Sequence, residues 1–176
     1  AVGNTALATN DVGNYNTAVG YGALDDANDN SDNTAVGYNA LTLAHHGTAN
    51  YGWNTAVGKV AGSAVSTGTN NTLMGANVCA TGSNNLSTGS ENTVIGGSAV
   101  VSATGAANQT VIGANAIGQA NNSVVLGDDN VTAVYMAEDS GATVHCSALY
   151  GEITNSAQPA FLVHPASTQS DIAIDS

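Results

Sequence analysis

Few residues in this 176-residue chain have side chains suited to chemistry, and their spacing decides what they can do. His45 and His46 adjoin each other in a stretch that also holds Tyr51 and Trp53. Aromatic rings beside imidazoles suit a sugar on a receptor or glycan or, across three chains, a metal ion. Metal sites need three or four converging ligands and sequence shows only a pair, so a decorated loop edge is the plainer reading. Asp25, Asp26, Asp29 and Asp32, and separately Asp128 and Asp129, could offer oxygens to Ca²⁺. Neither group matches the EF-hand spacing or the nonapeptide of calcium-binding β-helices, which favours solvated loops. Cys146 beside His145 has the residue types of a nucleophile and its base, but neighbours on a strand point to opposite faces. Cys79 falls in an apolar column and reads as a buried structural thiol. No Ser-His-Asp order, phosphate-binding glycine loop or paired-carboxylate motif occurs, so no catalytic residue, cofactor or metal is expected and the chain does not read as an enzyme. The Asn-x-Ser/Thr triplets at Asn70, Asn108 and Asn121 are by-products of a repeat rich in Asn and Thr.

Composition points the same way. One Lys or Arg stands against thirteen Asp and Glu, a formal charge of −12, and Lys59 is the lone cation apart from four histidines. Clustered basic residues are what neutralise phosphates, so nucleic-acid binding is excluded. Hydrophobic residues make up 43% of the chain but aromatics only 5%, and the apolar set is mostly Ala and Val, which fills a thin core. With 21 Gly and abundant Asn, both tolerant of positive φ, the chain reads as many short strands and turns. No apolar run approaches the roughly 18–20 residues of a membrane span, so no membrane insertion is expected. Ala1-Val2-Gly3 looks like the tail of a repeat cut in the middle, which implies a piece of a longer polypeptide.

The repeat is the dominant signal. Asn16-Thr17-Ala18-Val19-Gly20 returns at 33–37 and 54–58, and in weaker form at 71–75, 92–96, 109–113 and 123–127. The closing glycines Gly20, Gly37, Gly58, Gly75, Gly96, Gly113 and Gly127 fit a 14-residue coil with insertions of three or seven residues. A second apolar pair follows most of them, as at Ala23-Leu24, Ala40-Leu41 and Val78-Cys79, which predicts a second short strand in each coil. The stretches 25–32, 42–53 and 81–91 read as loops on one edge of the stack, a candidate contact surface. Asn at the front of each phrase can form side-chain ladders from coil to coil.

Two columns precede the glycines. Ala18, Ala35, Ala56, Leu73, Val94, Val111 and Val125 form one; Val19, Val36, Val57, Met74, Ile95, Ile112 and Leu126 form the other. Adjacent strand residues face opposite ways, so one column packs inside the coil and the other needs a partner. A homo-oligomer with these strands around a shared axis follows, because rings of identical chains are the common closed solution.

The NTAVG phrase with its second apolar pair, on a 14-residue base period, resembles the head repeats of trimeric autotransporter adhesins and the related shafts of phage tail fibres. That resemblance covers roughly residues 1–130 and implies an all-β left-handed parallel β-roll or β-solenoid. It also implies a homotrimer that serves as a rigid extracellular rod. The 17- and 21-residue coils depart from the compact adhesin repeat and look more like virion fibre proteins. Residues 131–158 then form a neck, with 128–136 read as a strand, and 137–150 resembles the segment that closes such rolls. Pro159 to His164 resembles the first strand of a trimeric jelly-roll head of the complement or tumour-necrosis type, so 159–176 would begin a further domain that continues beyond Ser176.

The function expected is that of a structural fibre segment of a phage or virus that presents a receptor-binding tip for host attachment. Two alternatives stand beside it. One is a bacterial adhesin whose roll binds host matrix or glycans. The other is an ice-binding solenoid, since Thr recurs once per coil, although insertions would be expected to disturb the regular Thr array it needs.

Overall fold

The computed structural model describes residues 1–44, 50–80 and 82–135, and every statement of absence below concerns these. They contain no α-helix. One compact unit runs from Ala1 to Val134. Its strands are β1 (Thr17–Val19), β2 (Asn30–Ser31), β3 (Thr34–Val36), β4 (Asn50–Tyr51), β5 (Thr55–Val57), β6 (Thr72–Met74), β7 (Thr93–Ile95), β8 (Gln109–Ile112) and β9 (Ser123–Leu126). This unit is a parallel β-solenoid. Seven strands stack as β1-β3-β5-β6-β7-β8-β9, each pair parallel, with Thr17, Thr34, Thr55, Thr72, Thr93 and Thr110 in unbroken register.

The strands of the seven-stranded sheet are three or four residues long because a glycine ends each one. At Gly58 φ is +140°, and a β-carbon built there would run into the carbonyl group of Gly75 in the next coil. Glycine is therefore required twice over, for the backbone angle and for the close approach of successive coils.

A buried asparagine ladder ties the coils together. The side-chain Oδ1 of Asn54 accepts the Asn71 backbone N–H at 3.1 Å and the Asn71 Nδ2 at 3.0 Å. Asn71 does the same for Asn92, at 3.1 and 3.0 Å. Each amide also reaches across its own coil or to the next, from Asn54 Nδ2 to the Gly68 carbonyl and from Asn92 Nδ2 to that of Ala106. Asn33, Asn54, Asn71 and Asn92 are almost completely buried, so these bonds satisfy polar groups that would otherwise be costly inside. Gln109 ends the run: its N–H bonds to Asn92 Oδ1, and its longer side chain turns instead to the Ser102 N–H and hydroxyl.

The core is thin, as the abundance of Ala and Val requires. Ala18, Ala35, Ala56, Leu73, Val94 and Val111 line its sheet side and lie buried opposite Leu24, Leu41 and Cys79. Side-chain volumes compensate along the stack. Where the sheet column switches from Ala56 to Leu73, the opposite column drops to Gly62, and a β-carbon at Gly62 would lie 2.5 Å from Leu73 Cδ1.

Three expectations are corrected. The second apolar pair does not form a strand: Leu7, Leu24, Leu41 and Cys79 all adopt left-handed φ, between 48° and 54°. Their N–H groups still bond across coils, as Leu24 does to the Ala40 carbonyl at 3.0 Å, so the pair is a stacked corner instead of a pleat. Of these pairs only Val100 and Ile117 meet in a bridge, and there the column slips: Ile117 is 49% exposed while Val101 takes the core position. Secondly, 25–32 and 42–53 are not wholly loop, because β2 pairs in parallel with β4. Thirdly, no strand follows Leu126 among the described residues. Asp128 instead accepts the N–H and Nδ2 of Asn130 in a side-chain-closed turn, which breaks the pleat.

Two outcomes test this account. Asn71→Ala leaves the buried Asn92 N–H without its acceptor and should lower the unfolding free energy by about 3 kcal/mol in denaturant titration. Gly58→Ala should cost at least about 2 kcal/mol, whereas Gly97→Ala, at ordinary φ with only the Ala76 carbonyl at 3.9 Å, should stay within about 0.5 kcal/mol. Equal effects of the two glycine changes in thermal melts would contradict the stacking argument.

Candidate interaction surfaces

The residues expected at a shared axis lie together on the outer face of the seven-stranded sheet. β1, β3, β5, β6 and β7 each bury the central residue and turn the two flanking residues outward. Val19, Met74, Ile112 and Leu126 are 39–45% exposed, and Val36, Val57 and Ile95 are half-buried. A column of threonines runs beside them. The strands of this sheet contain no charged residue, in a chain whose formal charge is −12. Spacing of about 4.8 Å between parallel strands makes the face a stripe about 30 Å long. Contiguous apolar patches of a few hundred Å² on an otherwise polar surface mark interaction sites.

The insertions that make the coils 17 or 21 residues long do not disturb this face. They sit on the other edges, where they form their own ladder. The Ser87 carbonyl accepts N–H bonds from Ser66, Thr67 and Gly68, and the Thr104 carbonyl accepts them from Ser87, Thr88 and Gly89. A second repeat, Ser-Thr-Gly at 66–68 and 87–89, was present in the sequence and carries this edge. The expected disruption of the threonine array therefore does not occur.

The aromatic residues fall on two edges. Tyr21 and Tyr38 stack with ring centroids 5.4 Å apart, on the turn that follows the sheet. Tyr51 and Trp53 stack at 5.0 Å with an interplanar angle of 10°, and both are more than half exposed. His45 and His46 lie outside the described residues, as do Cys146, His145 and the segments expected to form the neck beyond 135 and the distal domain.

The remaining candidates are structural where they are described. Cys79 is fully buried and free, and burial pushes its thiol up to about 12, so it stays protonated and unreactive in the folded chain. Its neighbouring backbone contact with Val101 pulls the other way but is the weaker effect. The carboxyl of Asp128 is held below its ordinary value by the Asn130 side chain first and the Asn130 N–H second. Among the described residues no group of three or more His, Cys, Asp or Glu could hold a metal ion. A hollow of about 370 Å³ bordered by Asn115, Ile117, Val125 and Asp128 lies at the last coil. No helix among the described residues is long and apolar enough to cross a membrane.

Comparison with protein families, with curated proteins and with solved structures finds no match to this chain, so the features above are the basis for assigning a role.

Proposed function

We propose that this chain is a shaft segment of a homotrimeric extracellular fibre of a phage or virus, whose role is to hold a receptor-binding tip away from the particle for host attachment. The observation that carries this reading is the outer sheet face: uncharged, with an apolar column beside a threonine column, and in register from β1 to β9. The chain carries a formal charge of −12, and the sheet face has no acid to oppose the approach of a second copy. The same face repeats one apolar residue per coil, so copies in parallel orientation around an axis along the stack meet like against like. Closed cyclic symmetry then buries the stripe without leaving a free edge. The resemblance of the NTAVG repeat to adhesin heads and tail-fibre shafts supports three as the number of copies. A roll that itself binds host matrix is the corresponding bacterial version of this arrangement.

A second reading has one observation in its favour. The six in-register threonines could order water as an ice-binding face does. It requires the same face to be open to solvent, so the two readings exclude each other.

Cross-linking separates them. In a Cys146→Ser background, Ile95→Cys should form disulfide-linked dimers between chains on mild oxidation, because an axis brings copies of one residue together. Ala103→Cys, exposed on another edge, should not. Absence of linkage at Ile95, or equal linkage at both positions, would overturn the axial arrangement.

A further inference from the structure

We infer that the edge carrying Tyr15, Asp32 and the Tyr51–Trp53 pair is a binding site for neutral saccharide chains. This goes beyond the shaft role and uses a surface separate from the sheet face. Tyr15, Asp32 and Trp53 occupy the same corner of three successive coils, as the bonds from Asp32 N–H to the Asn14 carbonyl and from Gly52 N–H to the Ser31 carbonyl show. All three have left-handed φ, at 59°, 61° and 47°. Later coils fill that corner with Asn70, Glu91, Asn108 and Asn122, three of the four being the residue type that adopts this angle most readily.

An aromatic ring in that conformation is strained, and the strain is not offset by core packing. Tyr15 is 84% exposed and Trp53 52%, and Tyr51, which stacks on Trp53 from β4, is 56% exposed. The corner is nevertheless fixed, because Gly52 is buried and bonded on both sides, to Ser31 at 2.8 Å and from Asn70 at 2.9 Å. Rigid, exposed rings at a strained position are a feature that function explains and folding does not.

The chemistry selects the ligand. Aromatic faces pack against the C–H face of a pyranose, and a carboxylate between them accepts hydroxyl protons. Tyr15 and Trp53 stand two coil steps apart, about 10 Å, a span suited to a short run of sugar rings and not to one small molecule. Asp32 lies in the corner itself and Asp11 bonds through its N–H to the Asn28 carbonyl, next to Asp29 in the chain, whereas Lys59 is on the turn after the sheet. An anionic glycan would be repelled, so a neutral one fits.

Trp53 is the only tryptophan of the chain, so its emission reports the site directly. The full chain is titrated with cellohexaose, chitohexaose and mannohexaose, and with the hexamer of galacturonate as the anionic counterpart. At least one neutral oligomer should change Trp53 emission saturably, with a Kd of about 0.1–1 mM, and the galacturonate hexamer should bind at least about tenfold more weakly. Tyr15→Asn, which keeps a residue suited to left-handed φ, should weaken binding at least about fivefold, whereas Tyr38→Ala, in the other stacked pair, should not. No saturable change with any neutral oligomer, or equal losses in Tyr15→Asn and Tyr38→Ala, would overturn the assignment. The result is independent of chain assembly, so the shaft reading stands or falls separately.

Discussion

The buried asparagine ladder is the interaction on which the rest of this solenoid depends. A core of Ala and Val has too little apolar area to hold coils in register by itself, and each Asn adds directional bonds at one position of every turn. Its oxygen binds the next coil's backbone and side chain, and its amide holds the corner where the coil closes. An unpaired amide at such a site would cost more than the bond contributes, so the ladder works only when coils stack. That makes stability a property of the run of repeats and not of any one of them.

Fixing Asn at one corner fixes what the other surfaces can do. The strand that follows has room for three residues before glycine turns it, so it buries one column and must expose the two beside it. Insertions are confined to edges away from the sheet, where backbone bonds between corners absorb them. The molecule thereby separates an invariant face from variable edges. In our account the invariant face assembles the fibre and an aromatic edge contacts sugar, and changes of loop length on one leave the register of the other intact.

Much of this was legible in the sequence. The NTAVG repeat gave the parallel strands, the inner column and the asparagine ladder, because a phrase that recurs once per coil stacks on itself whatever the loop length between. The glycine positions marked the turns for the same reason. What was not legible was the conformation of the second apolar pair. Leu24 and Leu41 have no intrinsic preference for left-handed φ, which is imposed by the tight corner and offset by complete burial. The strand expected over 128–136 failed because alternation of Val131 and Ala133 is a weak signal beside the turn-forming Asp128 and Asn130. The Ser-Thr-Gly edge was visible as a repeat but is short and interrupted, and the stronger phrase masked it. The aromatic edge was half visible: Tyr51 and Trp53 stood close in sequence, whereas the alignment of Tyr15 with Trp53 needed the coil register.

The central claim is that the uncharged sheet face is covered by sister chains. The most direct measurement is the solution mass of the chain at neutral pH by light scattering. Three times the 17.3-kDa chain mass is the value the account predicts. A mass of one chain, unchanged on raising the protein concentration, would contradict it and leave the threonine and valine columns open to solvent.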